Sequence, residues 1–427
     1  VKGRENLSLI YRTLWYLLLP FGVIWHLIFV WRRPEFRFGF WQRYGWVPVS
    51  AEQPLVVHAA SVGEINAVAD LLCQVAEQTT IPLLVTTTTA TGRDRCLQLF
   101  GHYPHINHAY MPFDIGLSQR LFWRRVKPRG LLLVETELWP NMLRLWSAKQ
   151  VPIWLINGRL SKRSARGYGR LGGFSGTMLA CLQRVLVQDK ASARRFVCLG
   201  AEPQKLQIMG SVKFDLTLPT SKVPEVGKPW LDADDACWVC GSTREGEEAT
   251  LLQAWARMDS VAKGLLVLVP RHPQRFAEVA DLCEASGLPW QRFTEGGGKS
   301  DLDQSGRRVL LVDAMGLLIA FYRLADVVFV GGSLVTKGGH NPLEPAALGK
   351  PVLMGPHTFN FATVCELLQK VGNLHLTSAS QLLEQIPQLL ANPELRLSMG
   401  QAGAELVAQR RGATAAYVSM IKQQFGA

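Results

Sequence analysis

Residues 54–67 read PLVVHAASVGEINA. Leu55, Val56, Val57 and His58 form a strand-like run. A turn of small residues, Ala59 to Gly63, follows, and a helical pattern then runs over 65–76. A buried strand that passes through a short turn into an amphipathic helix is half of a β-α-β unit. Glu64 stands where the strand ends and the helix begins. In open α/β sheets that edge is where ligands bind. An acid there has two readings. It either favours the helix N-terminus, with a contribution of about 0.3–1 kcal/mol, or it serves as a general base aimed at a ligand.

The same alternation continues along the chain. Apolar runs over 83–87, 130–135, 153–157 and 185–188 are separated by helical stretches, the pattern of a parallel, doubly wound sheet. Residues 217–230, TLPTSKVPEVGKPW, lack periodicity and are rich in Pro and Lys, which predicts a linker. Strand-like runs resume at 237–240, 264–269, 309–312, 327–330 and 352–354, and the chain turns helical from about 392. The expected division is an anchor over 1–33, a first Rossmann-like domain over 34–216, the linker, and a second Rossmann-like domain over 231–427 that includes the C-terminal helices. Two such domains facing each other would enclose a cleft at the carboxyl ends of their strands, with Glu64 turned toward it.

The expected anchor rests on residues 13–31, TLWYLLLPFGVIWHLIFVW, which contain no Asp, Glu, Lys or Arg. The length approaches the roughly 20 residues that span a bilayer, although Pro20 and His26 weaken the run. Trp15, Tyr16, Trp25 and Trp31 suit a membrane interface. Arg32, Arg33, Arg37 and Arg43 follow, which predicts that the rest of the chain lies on the cytoplasmic side. The helix either spans the membrane or lies in its plane. Across the 427 residues the formal net charge is +12 and 48% of residues are hydrophobic, so the chain is a folded protein with a surface that attracts anions. The eight cysteines are scattered in apolar stretches, as reduced core thiols are. Cys237 and Cys240 have CxxC spacing but no second pair, so no metal is expected. His102, His105 and His108 read as a surface loop broken by Pro104.

Four further stretches carry chemistry. LLLVETELWPN, residues 131–141, ends a buried strand in two acids, Glu135 and Glu137; an unpaired charge is costly there unless it is used. GSVKFD, residues 210–215, places Lys213 at the end of the first domain, as a site lysine or an ordinary surface one. LVPRHPQRF carries Arg271 and His272 after a strand, where cationic groups suit a phosphate. The richest is VFVGGSLVTKGGHNPLEPA, residues 328–346: a strand, two glycine pairs, then Asn341, Pro342, Leu343 and Glu344 opening a helix. Glu344 there suits ribose hydroxyls. The basic run 159–170 points to a phosphate-rich acceptor rather than nucleic acid, since no nucleic-acid motif accompanies it.

With these motifs in view, the chain resembles the Kdo transferases, which transfer 3-deoxy-D-manno-octulosonic acid to a lipid A precursor. The likeness runs almost end to end through SVGE, TTTTATG, ETELWPN, GRLSKRS, GSVKFD, PRHPQRF and GGSLVTKGGHNPLEPA. It implies a GT-B fold, an acceptor domain followed by a CMP-Kdo domain, an inverting transfer in lipopolysaccharide core biosynthesis, no cofactor, and an inner-membrane setting with anionic lipids around the anchor. By the resemblance Glu64 is the proton acceptor, and Glu135 and Lys213 stabilise the transition state. Arg271 and His272, the turn of Met315, Gly316 and Leu317, and Asn341, Pro342, Leu343 and Glu344 match CMP-binding positions. Leu317 departs from the family, which often has an acid there. The alternatives are a membrane-associated GT-B enzyme using a UDP-sugar, and a non-catalytic protein that binds anionic lipid.

Overall fold

The computed structural model describes residues 2–33, 37–48, 52–216, 218, 230–231, 235–258, 263–296 and 306–426. Apart from Leu218 and Trp230, the expected linker lies outside the described residues. The chain forms two units, one of residues up to Asp215 together with Arg411 onward, the other Leu216–Arg410.

In the first unit seven strands pair in parallel: β1 (Leu55–His58), β2 (Leu83–Thr87), β3 (Ile106–Tyr110), β4 (Gly130–Val134), β5 (Ile153–Gly158), β6 (Arg184–Val187) and β7 (Leu206–Ile208). Their order is β3-β2-β1-β4-β5-β6-β7, so the winding reverses between β1 and β4. All four residues of β1 are buried, as expected of a strand covered on both faces. Leu55 and Val57 enter one core and Val56 the other. The helix after β1, α2 (Val62–Gln78), starts because the Ser61 side chain accepts from the Glu64 amide, and it buries Ile65, Val68, Leu71, Leu72 and Val75 on one face.

The second unit repeats the plan with β8 (Ala236–Thr243), β9 (Gly264–Pro270), β10 (Trp290–Arg292), β11 (Arg307–Leu311), β12 (Val327–Val330), β13 (Val352–Met354) and β14 (Leu374–Leu376). The order β10-β11-β9-β8-β12-β13-β14 reverses between β8 and β12. Cys237 and Cys240 lie buried in β8, and burial pushes both thiols up, away from redox or metal reactivity.

Two expectations need correction. His108 is not on a loop: Pro104 precedes β3 without interrupting it, and His108 bonds the Thr87 hydroxyl at 2.9 Å. The second domain also does not run to the end of the chain. The helix Ala413–Phe425 belongs to the first unit, burying Tyr417, Val418, Ile421 and Phe425 in the core beneath β1. Its preceding residue, Gly412, has no side chain to cap it. Asp215 supplies the cap from 197 residues away, accepting from the amides of Gly412 and Thr414 at 2.6 Å each.

At the other end, α1 (Lys2–Arg32) is one helix with Pro20 inside it. No helix among the described residues is long and apolar enough to cross a membrane. One side of α1 is seated on the first unit: the Tyr11 hydroxyl donates to Asp114 at 3.0 Å, and His26 is buried beside Tyr44, Phe40 and Phe113. Leu17, Phe21, Ile24 and Trp31 are exposed, the last at 75%.

The Asp215 cap is testable. Asp215→Ala should cost about 1 kcal/mol of stability and hasten proteolytic cleavage near residue 411. An unchanged melting temperature and cleavage rate would show that the last helix docks without it.

Candidate active site

A parallel sheet gathers all its carboxyl ends on one edge, and the crevice opens where the winding reverses. In the first unit that reversal lies between β1 and β4. Glu64 follows β1 and Glu135 follows β4, so both carboxylates stand at the switch point. They line one cavity of about 300 Å³ with Thr136, Glu137, Arg159, Ser161, Ser164 and Tyr168.

Glu64 is the third residue of α2. The Ala60 amide donates to its Oε2 at 2.7 Å, and the Ser61 hydroxyl donates to its Oε1 at 3.1 Å. Such donors, like the helix N-terminus, ordinarily hold a carboxylate below its usual range. Here the opposite prevails. Burial first, and then the neighbouring Glu137 and Glu135 charges, push Glu64 up to about 7. A value near neutrality suits a general base.

Glu135, the residue after β4, has a φ of +60°, a left-handed conformation rare for a residue with a side chain. Its amide donates to the Ile156 carbonyl at 3.1 Å, which keeps the turn tied to β5. Glu137 is raised by burial and by Glu135, against the Trp139 indole N–H, which donates to it at 2.8 Å. Lys213 sits in the short turn Val212–Phe214. Burial lowers its ammonium, the Glu135 charge draws it back up, and Arg159 lowers it again. Glu64, Glu135 and Lys213 are thus brought to one place. Among the described residues no group of three or more His, Cys, Asp or Glu side chains is arranged to hold a metal ion.

The second unit is organised around a residue that sequence reasoning passed over. Glu247, fully buried, accepts from the amides of Arg244, Ser333 and Leu334 at 2.9 Å each and of Gly332 at 2.6 Å. It ties the turn after β8 to the glycine-rich turn after β12, across the second switch point. Ser333 secures the same turn, donating to the Val330 carbonyl at 2.6 Å and accepting from the Gly355 amide at 2.8 Å.

Arg244, also unassigned in the sequence, bonds His272 and donates to His340 Nε2 at 3.2 Å. His340 is pushed down to about 4 by burial and the surrounding arginines, so it stays neutral and can accept. Arg271 follows β9 and its charge reaches Glu344, whose carboxyl is raised mainly by burial. Asn341 Nδ2 donates to Glu344 at 3.2 Å, and its Oδ1 accepts from the Leu343 amide at 3.1 Å. The helix expected to open at Pro342 is only Leu343–Ala347. Met315, Gly316 and Leu317 lie on the turn after β11, the neighbour of β9; Gly316 has a φ of +85° and Met315 is 57% exposed. The expected donor residues therefore share one sheet edge. Arg271, His272, Asn341 and Glu344 are linked by bonds or fields, and the 315–317 turn stands beside them.

Two Rossmann-like units, each wound about its own switch point, make up the GT-B fold. The structure of MurG from Acinetobacter baumannii has the same fold, with a TM-score of 0.55 and 12% identity over 87% of this chain and 99% of that one. Residues 36–216 match the family described as 3-deoxy-D-manno-octulosonic-acid transferase (kdotransferase). The 3-deoxy-D-manno-octulosonic acid transferase of Haemophilus influenzae is 36% identical over 393 residues, 90% of each chain. That of Bordetella pertussis is 36% identical over 422 residues, 95% of this chain and 96% of that one. The chain belongs to the family of Kdo transferases.

The titration of Glu64 has a stability consequence. Its folded-state value, about 7, exceeds the ordinary 4.5. The stability it contributes is therefore fully present below pH 4.5 and is lost as pH rises through 7. Glu64→Gln lacks that loss. The variant should melt above wild type at pH 8, and the gap should close as pH falls toward 4.5. A gap that widens on acidification would contradict the raised value.

Proposed function

We propose that this Kdo transferase takes Kdo from CMP-Kdo and attaches it to a sugar hydroxyl of a lipid A precursor at the cytoplasmic face of the inner membrane, with inversion and without a metal. The observation that carries this reading is the Glu64 carboxylate, poised near pH 7 at the first switch point. The acceptor hydroxyl gives its proton to Glu64, and its oxygen bonds to the anomeric carbon of Kdo. The bond from that carbon to the phosphate oxygen breaks, and CMP departs with the electron pair. Glu135 and Lys213 act beside the base on the developing charge. On the second unit Arg271, Arg244 and His272 meet the single phosphate of CMP, while Glu344 holds the ribose hydroxyls. The 315–317 turn and residues 341–343 frame the nucleotide, and Leu317 serves through its backbone. One phosphate needs no divalent clamp of the kind a diphosphate favours.

The membrane assignment rests on α1. Its exposed residues Leu17, Phe21, Ile24 and Trp31 form an apolar side opposite the seated one, and Arg32, Arg33 and Arg37 follow at once. That arrangement fits a helix lying in the plane of a bilayer containing anionic lipids. A UDP-sugar donor or a purely lipid-binding role is the less favoured reading. Incubating the protein with lipid A precursor and either CMP-Kdo or a panel of UDP-sugars, then weighing the product, separates them.

Two outcomes follow from these assignments. Glu64→Gln should lower turnover by about 10²–10⁴ while CMP-Kdo binding stays near wild type; near-normal transfer would remove the general base from the mechanism. Phe21→Ser combined with Trp31→Ser should weaken binding to anionic vesicles without shifting the melting temperature. Undiminished vesicle binding would place the membrane contact elsewhere.

A further inference from the structure

Glu64 takes a hydrogen bond from the Ala60 amide, and Ala60 is itself held from the far side. The Thr88 amide, at 3.2 Å, and the Thr88 hydroxyl, at 2.8 Å, both donate to the Ala60 carbonyl. The Thr88 carbonyl in turn accepts from Arg43 Nη1 at 2.9 Å. An unbroken series of contacts therefore runs from Arg43 through Thr88 and Ala60 to the carboxylate.

Arg43 is an unusual group to find there. It is 6% exposed, and its guanidinium lies 4.2 Å over the Tyr110 ring. Its Nε and Nη2 make no hydrogen bond, and among the described residues no carboxylate pairs with it. Burying a guanidinium this way is costly, and an apolar side chain of similar volume would fill the space more cheaply. The turn that carries it, Trp41–Tyr44, is fastened on three sides. Gln42 Oε1 accepts from the Tyr110 amide at 2.9 Å, the Arg43 carbonyl accepts from the Phe113 amide at 2.9 Å, and the Tyr44 hydroxyl bonds His26 of α1 at 2.9 Å. A donor mounted so rigidly can fix what it touches.

We propose that Arg43 is a positioning residue for the proton acceptor: by holding the Thr88 carbonyl it fixes Ala60, and through the Ala60 amide it aims the Glu64 carboxylate. The inference rests on the reading of Glu64 as the base. It also gives the helix seated through His26 and the catalytic turn a common support. The charged and titratable groups around Arg43 are Tyr44, Tyr110, His26, His108 and Arg93. Those facing Glu64 are Glu137 and Glu135, with Lys213 and Arg159 beside Glu135.

The test compares Arg43→Met, Arg43→Lys, Thr88→Val and Glu64→Gln in the full chain, assayed in detergent with CMP-Kdo and lipid A precursor. A displaced base costs up to about 10²-fold in rate. Arg43→Met should lower kcat by about 10- to 100-fold with KM for CMP-Kdo near wild type. Losing the Ala60 donor raises the carboxyl further, so the acid limb of the kcat/KM profile should move to higher pH. Arg43→Lys keeps a donor for Thr88 and should return the limb toward wild type. Thr88→Val removes one of the two donors to Ala60 and should move the limb the same way by less. A loss of activity with the limb unmoved in both Arg43→Met and Thr88→Val would overturn the proposal. If Arg43→Met does not fold, the limb of Thr88→Val decides alone. Glu64→Gln separates the two failures: near-normal turnover there removes the base and this proposal together, whereas collapse there with unmoved limbs in the other variants removes only the role of Arg43.

Discussion

Three carboxylates share a cavity of about 300 Å³ at the first switch point, and their mutual repulsion out of bulk water is the constraint the first unit answers. Like charges in a low-dielectric site raise one another's proton affinity. The surroundings relieve Glu64 and Glu137 unequally. Glu64 receives an amide and a hydroxyl, Glu137 an indole N–H, and both still stay raised. The Glu135 charge is met by Lys213. Identical chemical groups acquire different surroundings because strand ends, not side-chain chemistry, decide who their neighbours are.

The second unit solves the opposite problem. Glu247 is more deeply buried than Glu64 and is also raised by burial, yet four backbone amides converge on it. A carboxylate surrounded by that many donors is a fastener, not a reagent. It holds two turns that would otherwise carry unpaired amides at the edge of the sheet. Arg244 is aimed by the same fastening, because its own amide is one of the four. The cationic side chains of this unit can then point at a ligand while their backbones are fixed from beneath.

Much of this was readable from the chain. The alternation of apolar runs and helices announced both sheets, and SVGE, ETELWPN and GSVKFD named residues that the fold brings together. What escaped were partners whose importance is purely spatial. Nothing in GSTREGEE marks Glu247 apart from Glu245 or Glu248, since only folding brings the amides of residues 332–334 to it. Asp215 reads as the end of a motif, and its partner Gly412 lies 197 residues on. β10 and β14, WQR and LHL, are three residues each and lack the wholly apolar run that makes the equally short β13 legible. His108 was misread because a proline before a strand looks the same in sequence as a proline within a loop.

Among the described residues five that are not glycine have a positive φ; Lys127 and Gln150 precede β4 and β5, and the other three fall on the same edge as the buried charge. Glu135, Asn157 and Ser242 adopt φ values of +60°, +50° and +57° in or just after β4, β5 and β8. Each costs on the order of 1–3 kcal/mol, and glycine would relieve it. The strands beneath are buried on both faces and paired in parallel, and the register shifts between Leu155 and Gly158 and between Gly241 and Thr243, where Asn157 and Ser242 sit. Asn157 shows the division of labour: its backbone amide donates to the Tyr417 hydroxyl at 2.9 Å while its buried side-chain amide makes no hydrogen bond. Tyr417 comes from the last helix of the chain, so the helix capped by Asp215 braces β5 where it bends out of regular strand geometry toward Arg159. The buried sheets and their covering helices lie beneath the carboxyl ends, which hold the unfavourable charges and conformations.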